Sequence, residues 1–389
     1  MDVFHTLLVD QPTTRTVQVI DMHTSGEPTR IVVKGYPKLE GETLLEMRRC
    51  AREKHDDIRQ RLMFEPRGHS EMYGAVLVKE TELTKRGEAD IGVLFCHNGP
   101  DGYSTMCGHA TIALGRFLVD TQDLEVFPNR NKLAHDNATG VTAIRLHAPC
   151  GVVHVSVYTQ DNLGRTSDPT RPVRFLGVPS FVTARDIEVD IPPSQQWKRL
   201  RDHQCSRVKV DAIAYGGAFY ALVSATELGF KDGLRRGDSN QTLAEFDEAT
   251  ATLKRILSER KELYAHPREP DLAFLYSVMV VEKTDQGETG LCFFADQQID
   301  RSPTGSCVMA RVAFAVDQGR LQIGGEGCEY ESIVSVVNEG NGFHGTAVEQ
   351  TSEGVIVKVQ GRAFYTGASS FVVEQHDTMP NGFVVGLPS

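Results

Sequence analysis

Apolar positions along this chain follow two periods. Continuous or alternating apolar runs, the mark of strands, occur at 91–96, 142–158, 290–294, 332–336 and 354–359. Helical spacing instead joins Leu44, Leu45, Met47, Ala51, Ile58 and Leu62, and again Leu243, Phe246, Leu253, Ile256 and Leu257. Two further helices are predicted where apolar residues run on from 107 and from 304. Polar stretches at 160–172 and 194–207 read as loops.

The pattern repeats. Residues 21–33 set against 211–223 share Asp, Gly and Val at an offset of 190, as Asp21/Asp211, Gly26/Gly216 and Val33/Val223. Each segment reads as a turn entering a strand, and each is followed by an amphipathic helix. Residues 107–120 align without gaps on 304–317 at an offset of 197, with five identical pairs: Gly108/Gly305, Ala113/Ala310, Phe117/Phe314, Val119/Val316 and Asp120/Asp317. An apolar strand precedes both. Two matches at nearly one offset point to a duplicated domain with a pseudo-two-fold relation; the alternative is two unrelated α/β pieces of similar periodicity. The expected halves are 1–190, which 361–389 could complete, and 191–360, with the boundary near 185–208.

Composition narrows the class. The chain has 389 residues, 40% of them hydrophobic and 24% charged, enough apolar material for two cores. Its net charge of -11 argues against nucleic acid and anionic membranes as partners, though a pocket can be locally positive. No apolar stretch is long enough to span a bilayer. Asp2, His5 and Asp10 interrupt any secretory-type start, and Leu387-Pro-Ser389 is no evident address. The eight cysteines stand at 50, 96, 107, 150, 205, 292, 307 and 328 without a CxxC pair, which suits a cytoplasmic protein that keeps them as thiols. Cys50, Cys96 and Cys292 lie in apolar stretches and read as small core residues.

The repeat makes Cys107 and Thr304 equivalent, each followed by glycine and each opening a helix. A helix N-terminus offers unpaired N–H groups and a partial positive charge. That environment lowers a thiol pKa and also binds a carboxylate. Glycine beside each position lets a ligand come close to the backbone. From spacing alone, a reactive thiolate and an inert buried thiol both stay open for Cys107.

Tyr103-Ser-Thr-Met-Cys-Gly-His109 and Asp300-Arg-Ser-Pro-Thr-Gly-Ser306 resemble the two signature motifs of the proline racemase family. Residues 21–28, 65–75 and 361–367 match its other marker segments, so the resemblance covers nearly the whole chain. It implies an α/β (α+β) fold of the diaminopimelate-epimerase-like kind, with two similar domains, each a curved sheet around a central helix. Racemases of the family carry a cysteine in both motifs, one to remove the α-proton and one to return it on the opposite face. Here the second position is Thr304, whose hydroxyl is far too weak an acid or base to replace a thiol. A Cys-plus-Thr pair resembles the family's trans-3-hydroxy-L-proline dehydratases, hydro-lyases in which one base suffices. The resemblance then implies that Cys107 takes the α-proton, the 3-hydroxyl leaves as water, and the enamine becomes Δ1-pyrroline-2-carboxylate.

Carried over residue by residue, the family pattern gives Gly108, His109, Gly305 and Ser306 backbone contacts to the substrate carboxylate. Asp300 pairs with the ring ammonium, and Tyr73 and Phe294 wall the pocket. Each has a plainer reading: Asp300 as a helix cap or a partner for Arg301, Tyr73 and Phe294 as core, and His109 as a core histidine or as the acid for the departing hydroxyl. His23 and His69 read as structural, since no metal-ligand spacing is present. No pyridoxal or dinucleotide motif is evident, so no cofactor is expected; a small cyclic amino acid is the expected partner, in a homodimer. Cys307 departs from the family's glycine and stands one helical turn beyond Thr304. A second thiol reaching the substrate would leave room for epimerisation; a small packing residue would not. Two other readings remain at this point: a proline or hydroxyproline racemase or epimerase, and a silent binding protein for cyclic amino acids.

Overall fold

The computed structural model describes residues 16–100, 102–234, 240–284 and 287–385. Asp2, His5, Asp10 and Leu387-Pro-Ser389 lie outside the described residues. The chain forms two compact units. One comprises Met1–Thr105, His109–Val173 and Arg362–Ser389; the other comprises Met106–Gly108 and Arg174–Gly361.

In the first unit, Val17–Thr24 and Glu27–Lys34 form an antiparallel hairpin. The second strand runs parallel to Tyr73–Val78, which pairs antiparallel with Ile91–His97. That strand is parallel to Val141–Ala148, which is antiparallel to Gly151–Tyr158. Ala363–Phe371 closes the other edge against Val17–Thr24. In the second unit the same alternation recurs. Arg207–Tyr215 and Phe219–Ser224 are antiparallel, Leu275–Lys283 is parallel to the latter, and Gly287–Phe294 is antiparallel to that. Cys328–Ser332 is then parallel and Phe343–Thr351 antiparallel, with Phe181–Asp190 on the outer edge.

Parallel neighbours need a crossover, and each unit supplies two. The first passes through surface helices, Leu44–Lys54 and Asp56–Met63 in one unit and Asn240–Ser258 in the other. The second contains a two-residue strand, Tyr103–Ser104 or Gln298–Ile299, and then a long helix, Gly108–Asp120 or Gly305–Asp317. Both long helices are mostly apolar, each with one buried arginine (Arg116, Arg311), and are buried through their first eleven residues, as a helix surrounded by protein must be. The Gly305–Asp317 helix touches Phe181–Asp190 and Arg207–Tyr215 near one end of its sheet and Phe343–Thr351 and Gly354–Gly361 at the other. A sheet that meets one helix with both ends must curve around it. In the first unit Gly115 lies against Val155 and Val157, while Arg116 donates to the Ala363 carbonyl on the opposite edge strand.

Four local expectations change. Asp21 and Asp211 sit inside strands, and the turn comes later, at Ser25-Gly26 (φ 55° and 88°) and at Gly217 (φ 91°). The first amphipathic helix is broken at His55, where Asp56 and Asp57 start a new one; acidic groups favour a helix start, and Asp56 pairs with Arg59 at 2.6 Å. Residues 333–337 form a turn, because the Ser332 hydroxyl accepts from the N–H of Val334 (3.2 Å) and of Ser335 (3.0 Å). Local side-chain bonding of this kind displaces a ladder. Finally, 194–207 holds a short helix, Lys198–Asp202, anchored by the buried Trp197, whose indole N–H donates to the Leu228 carbonyl at 2.9 Å.

Candidate functional site

In the second unit, the chain leaves the two-residue strand Gln298–Ile299 and turns through Asp300 to Thr304 into the helix. Asp300 and Thr304 are each 5% exposed. The two oxygens of Asp300 are held separately: Oδ1 accepts from the Ser302 N–H at 2.8 Å, and Oδ2 from the Thr304 hydroxyl at 2.8 Å. Ser302 in turn accepts from the Thr304 N–H at 3.2 Å. Thr304 has φ 63° and ψ 83°, a left-handed conformation that a β-branched residue adopts only under constraint, and its side chain makes no cap for the helix. Ser306, in the first turn, shares a 2.5 Å hydrogen bond with the fully buried Tyr220 hydroxyl. Phe294 ends its strand buried against Tyr276, ring centroids 6.2 Å apart.

Met106–Gly108 packs with this same unit. Cys107 is 5% exposed. A Cβ added to Gly108 would lie 2.4 Å from the Gly305 Cα, and one added to Gly305 would lie 2.7 Å from the Gly108 Cα. Both glycines are therefore required by backbone-to-backbone contact, a constraint beyond the ligand approach expected from spacing. In the first unit, the buried Tyr73 presents its ring to the edge of His109, centroids 4.7 Å apart, and shares a short hydrogen bond with Ser104. The His109 carbonyl accepts from the Thr24 hydroxyl at 2.9 Å, tying the 21–28 marker segment to the start of the helix.

All eight cysteines are thiols. Burial pushes the Cys96 and Cys292 thiols up to about 12, and Asp300 adds to the effect at Cys292. Cys307 is fully buried, and burial raises its thiol well above the ordinary range. It is a packing residue of the helix. Among the described residues, no group of three or more His, Cys, Asp or Glu is placed to hold a metal ion.

The proline racemase family model matches residues 19–384. The chain belongs to the proline racemase family. Among its curated relatives, the trans-3-hydroxy-L-proline dehydratase of Homo sapiens is 42% identical over 96% of each chain. The trans-L-3-hydroxyproline dehydratase of Mus musculus is 41% identical over 97% of this chain and 96% of its own. Among solved structures, a hydroxyproline epimerase from Agrobacterium vitis with bound trans-4-hydroxy-L-proline superposes with a TM-score of 0.76 at 23% identity, covering 95% of this chain and 96% of that one. That likeness places the α/β architecture in the fold of this family.

Sequence reasoning did not single out Thr24, Ser104, Tyr220, Cys292 or Ser302 as partners of the site. Thr24, Ser104 and Ser302 lie inside the quoted motifs, and Ser302 follows Asp300 at the spacing of an Asx turn, a legible signal. Tyr220 and Cys292 carry no local signal; they reach the site only through strand pairing.

Proposed function

We propose that this family member is a trans-3-hydroxy-L-proline dehydratase. The observation that carries the reading is the unequal pair of motif positions. Cys107 stands at the first; at the second stands Thr304, a hydroxyl donated to Asp300 rather than a thiol. Cys307, the nearest other thiol along the helix, is buried and held protonated. Relatives about 42% identical over nearly the full chain carry the same activity in their names.

In this reading Cys107, as thiolate, removes the α-proton. The C–H electron pair forms the C2–C3 double bond, the C3–O bond breaks, and the hydroxyl leaves with a proton as water. The enamine tautomerises to Δ1-pyrroline-2-carboxylate, so no proton is returned to the opposite face. First-turn N–H groups at Gly305 and Ser306, and at Gly108 and His109, bind the carboxylate and stabilise charge developing on it. Asp300 pairs with the ring ammonium, and Tyr73 and Phe294 close the apolar walls. The proposed functional domains follow the two compact units, with the chain passing from one to the other at Val173/Arg174 rather than near 185–208, and with the C-terminal segment from Arg362 completing the first.

The reading includes a cytoplasmic homodimer without a bound cofactor. Eight retained thiols favour a reducing compartment. Among the described residues no helix is long and apolar enough to cross a membrane. The reaction needs only a base and fixed dipoles. Light scattering and activity after exhaustive dialysis against chelator test these points.

The decisive assay supplies trans-3-hydroxy-L-proline and detects the pyrroline with o-aminobenzaldehyde. Folded protein that yields no product sinks the proposal. Cys107→Ser should abolish turnover with folding retained, since the thiolate is gone; a variant that still dehydrates would remove Cys107 from the mechanism.

A further inference from the structure

Threonine before a helix ordinarily caps it through its side chain. Thr304 does not. Its backbone is left-handed, which costs a β-branched residue free energy that the surroundings must offset. The hydroxyl points instead to Asp300 Oδ2 at 2.8 Å. A carboxylate only accepts, so the proton on that bond belongs to Thr304. The Ser302 N–H holds the other oxygen of Asp300 at 2.8 Å. Residues 300, 302 and 304 thus form a closed loop of bonds whose product is one fixed carboxylate orientation.

From this geometry we infer that Thr304 is a positioning residue: its hydroxyl sets the Asp300 carboxylate for the substrate's ring ammonium and moves no proton in the reaction. The inference rests on the proposed pairing of Asp300 with that ammonium. Thr304→Val keeps the shape and removes the donor. Losing one charge-assisted bond to a binding group should raise KM for trans-3-hydroxy-L-proline about tenfold and leave kcat within about threefold, because binding is weakened equally before and at the transition state. Thr304→Ser, which restores the donor, should return both constants to within about twofold of wild type. In an Asp300→Ala background, Thr304→Val should add nothing. Calorimetric binding of pyrrole-2-carboxylate, whose ring nitrogen is neutral, should change less than about twofold in Thr304→Val. A variant with unchanged KM, a kcat loss at constant KM, or equal weakening of pyrrole-2-carboxylate overturns the inference. If Thr304→Val fails to fold by circular dichroism, Thr304→Ala carries the same expectations. If the wild-type protein binds trans-3-hydroxy-L-proline without turning it over, the dehydratase reading fails. The inference is then decided by the calorimetric Kd in place of KM, with the same ratios required.

Discussion

Gly305→Ala is the sharpest test of the site's geometry. The new Cβ would sit 2.7 Å from the Gly108 Cα, 3.3 Å from its carbonyl carbon and 3.4 Å from the Phe175 ring. Carbon atoms rest at about 3.5–4.0 Å, so the two backbones must part by roughly 1 Å. The nearest obstacle is backbone, which cannot swing aside as a side chain would. Overpacking of this kind costs about 1–3 kcal/mol. Alanine's better helix propensity returns up to about 1 kcal/mol, leaving a net loss of about 3 kcal/mol at most. Activity should suffer far more than stability, because a shift of about 1 Å at reacting groups can cost about a hundredfold. The assay is kcat/KM for trans-3-hydroxy-L-proline beside denaturant unfolding. Gly367→Ala is the control: nothing lies within 4 Å of its Cβ, so both quantities should stay near wild type. Gly305→Ala with more than a third of wild-type activity would refute the claim that this contact sets the site.

Cys307→Ala should keep dehydratase activity within about twofold and lose about 1 kcal/mol of stability, since the thiol is buried packing; a large activity loss measured against normal folding would return it to the chemistry. Glu288 bonds Arg311 at 2.8 Å and Arg320 at 3.0 Å. Burial pushes its carboxyl up, but the two guanidinium groups outweigh this and hold it below its usual 4.5. A lowered folded pKa gives stability that is present above the unfolded value and lost as pH falls through the folded one. Wild type should therefore weaken below about pH 4.5, whereas Glu288→Gln, less stable by about 3–5 kcal/mol at neutral pH, should lose less of its remaining stability there. Acid titrations followed by circular dichroism compare the two, and equal acid sensitivity would show that the pair is not the source.

The chain's own periodicity determined more here than usual. Strand, loop and helix recur at offsets of 190 and 197. In space they recur with the same antiparallel and parallel alternation in both units. The family and the α/β fold were legible because five motifs carry residues whose chemistry is local: a thiol, glycines, and an acid two residues before a serine. Local signals misled where a side chain competed with the backbone ladder, as Ser332 does, and where a charge pair restarted a helix at Asp56. Only the tertiary structure decided that Gly108 and Gly305 touch, that Cys307 is sealed from solvent, and that the Thr304 hydroxyl turns to Asp300 instead of capping its helix. The reason is physical. Residue type and spacing specify what a group can donate or accept, but a left-handed threonine and two backbones in contact exist only once distant strands have closed around the helix that carries them.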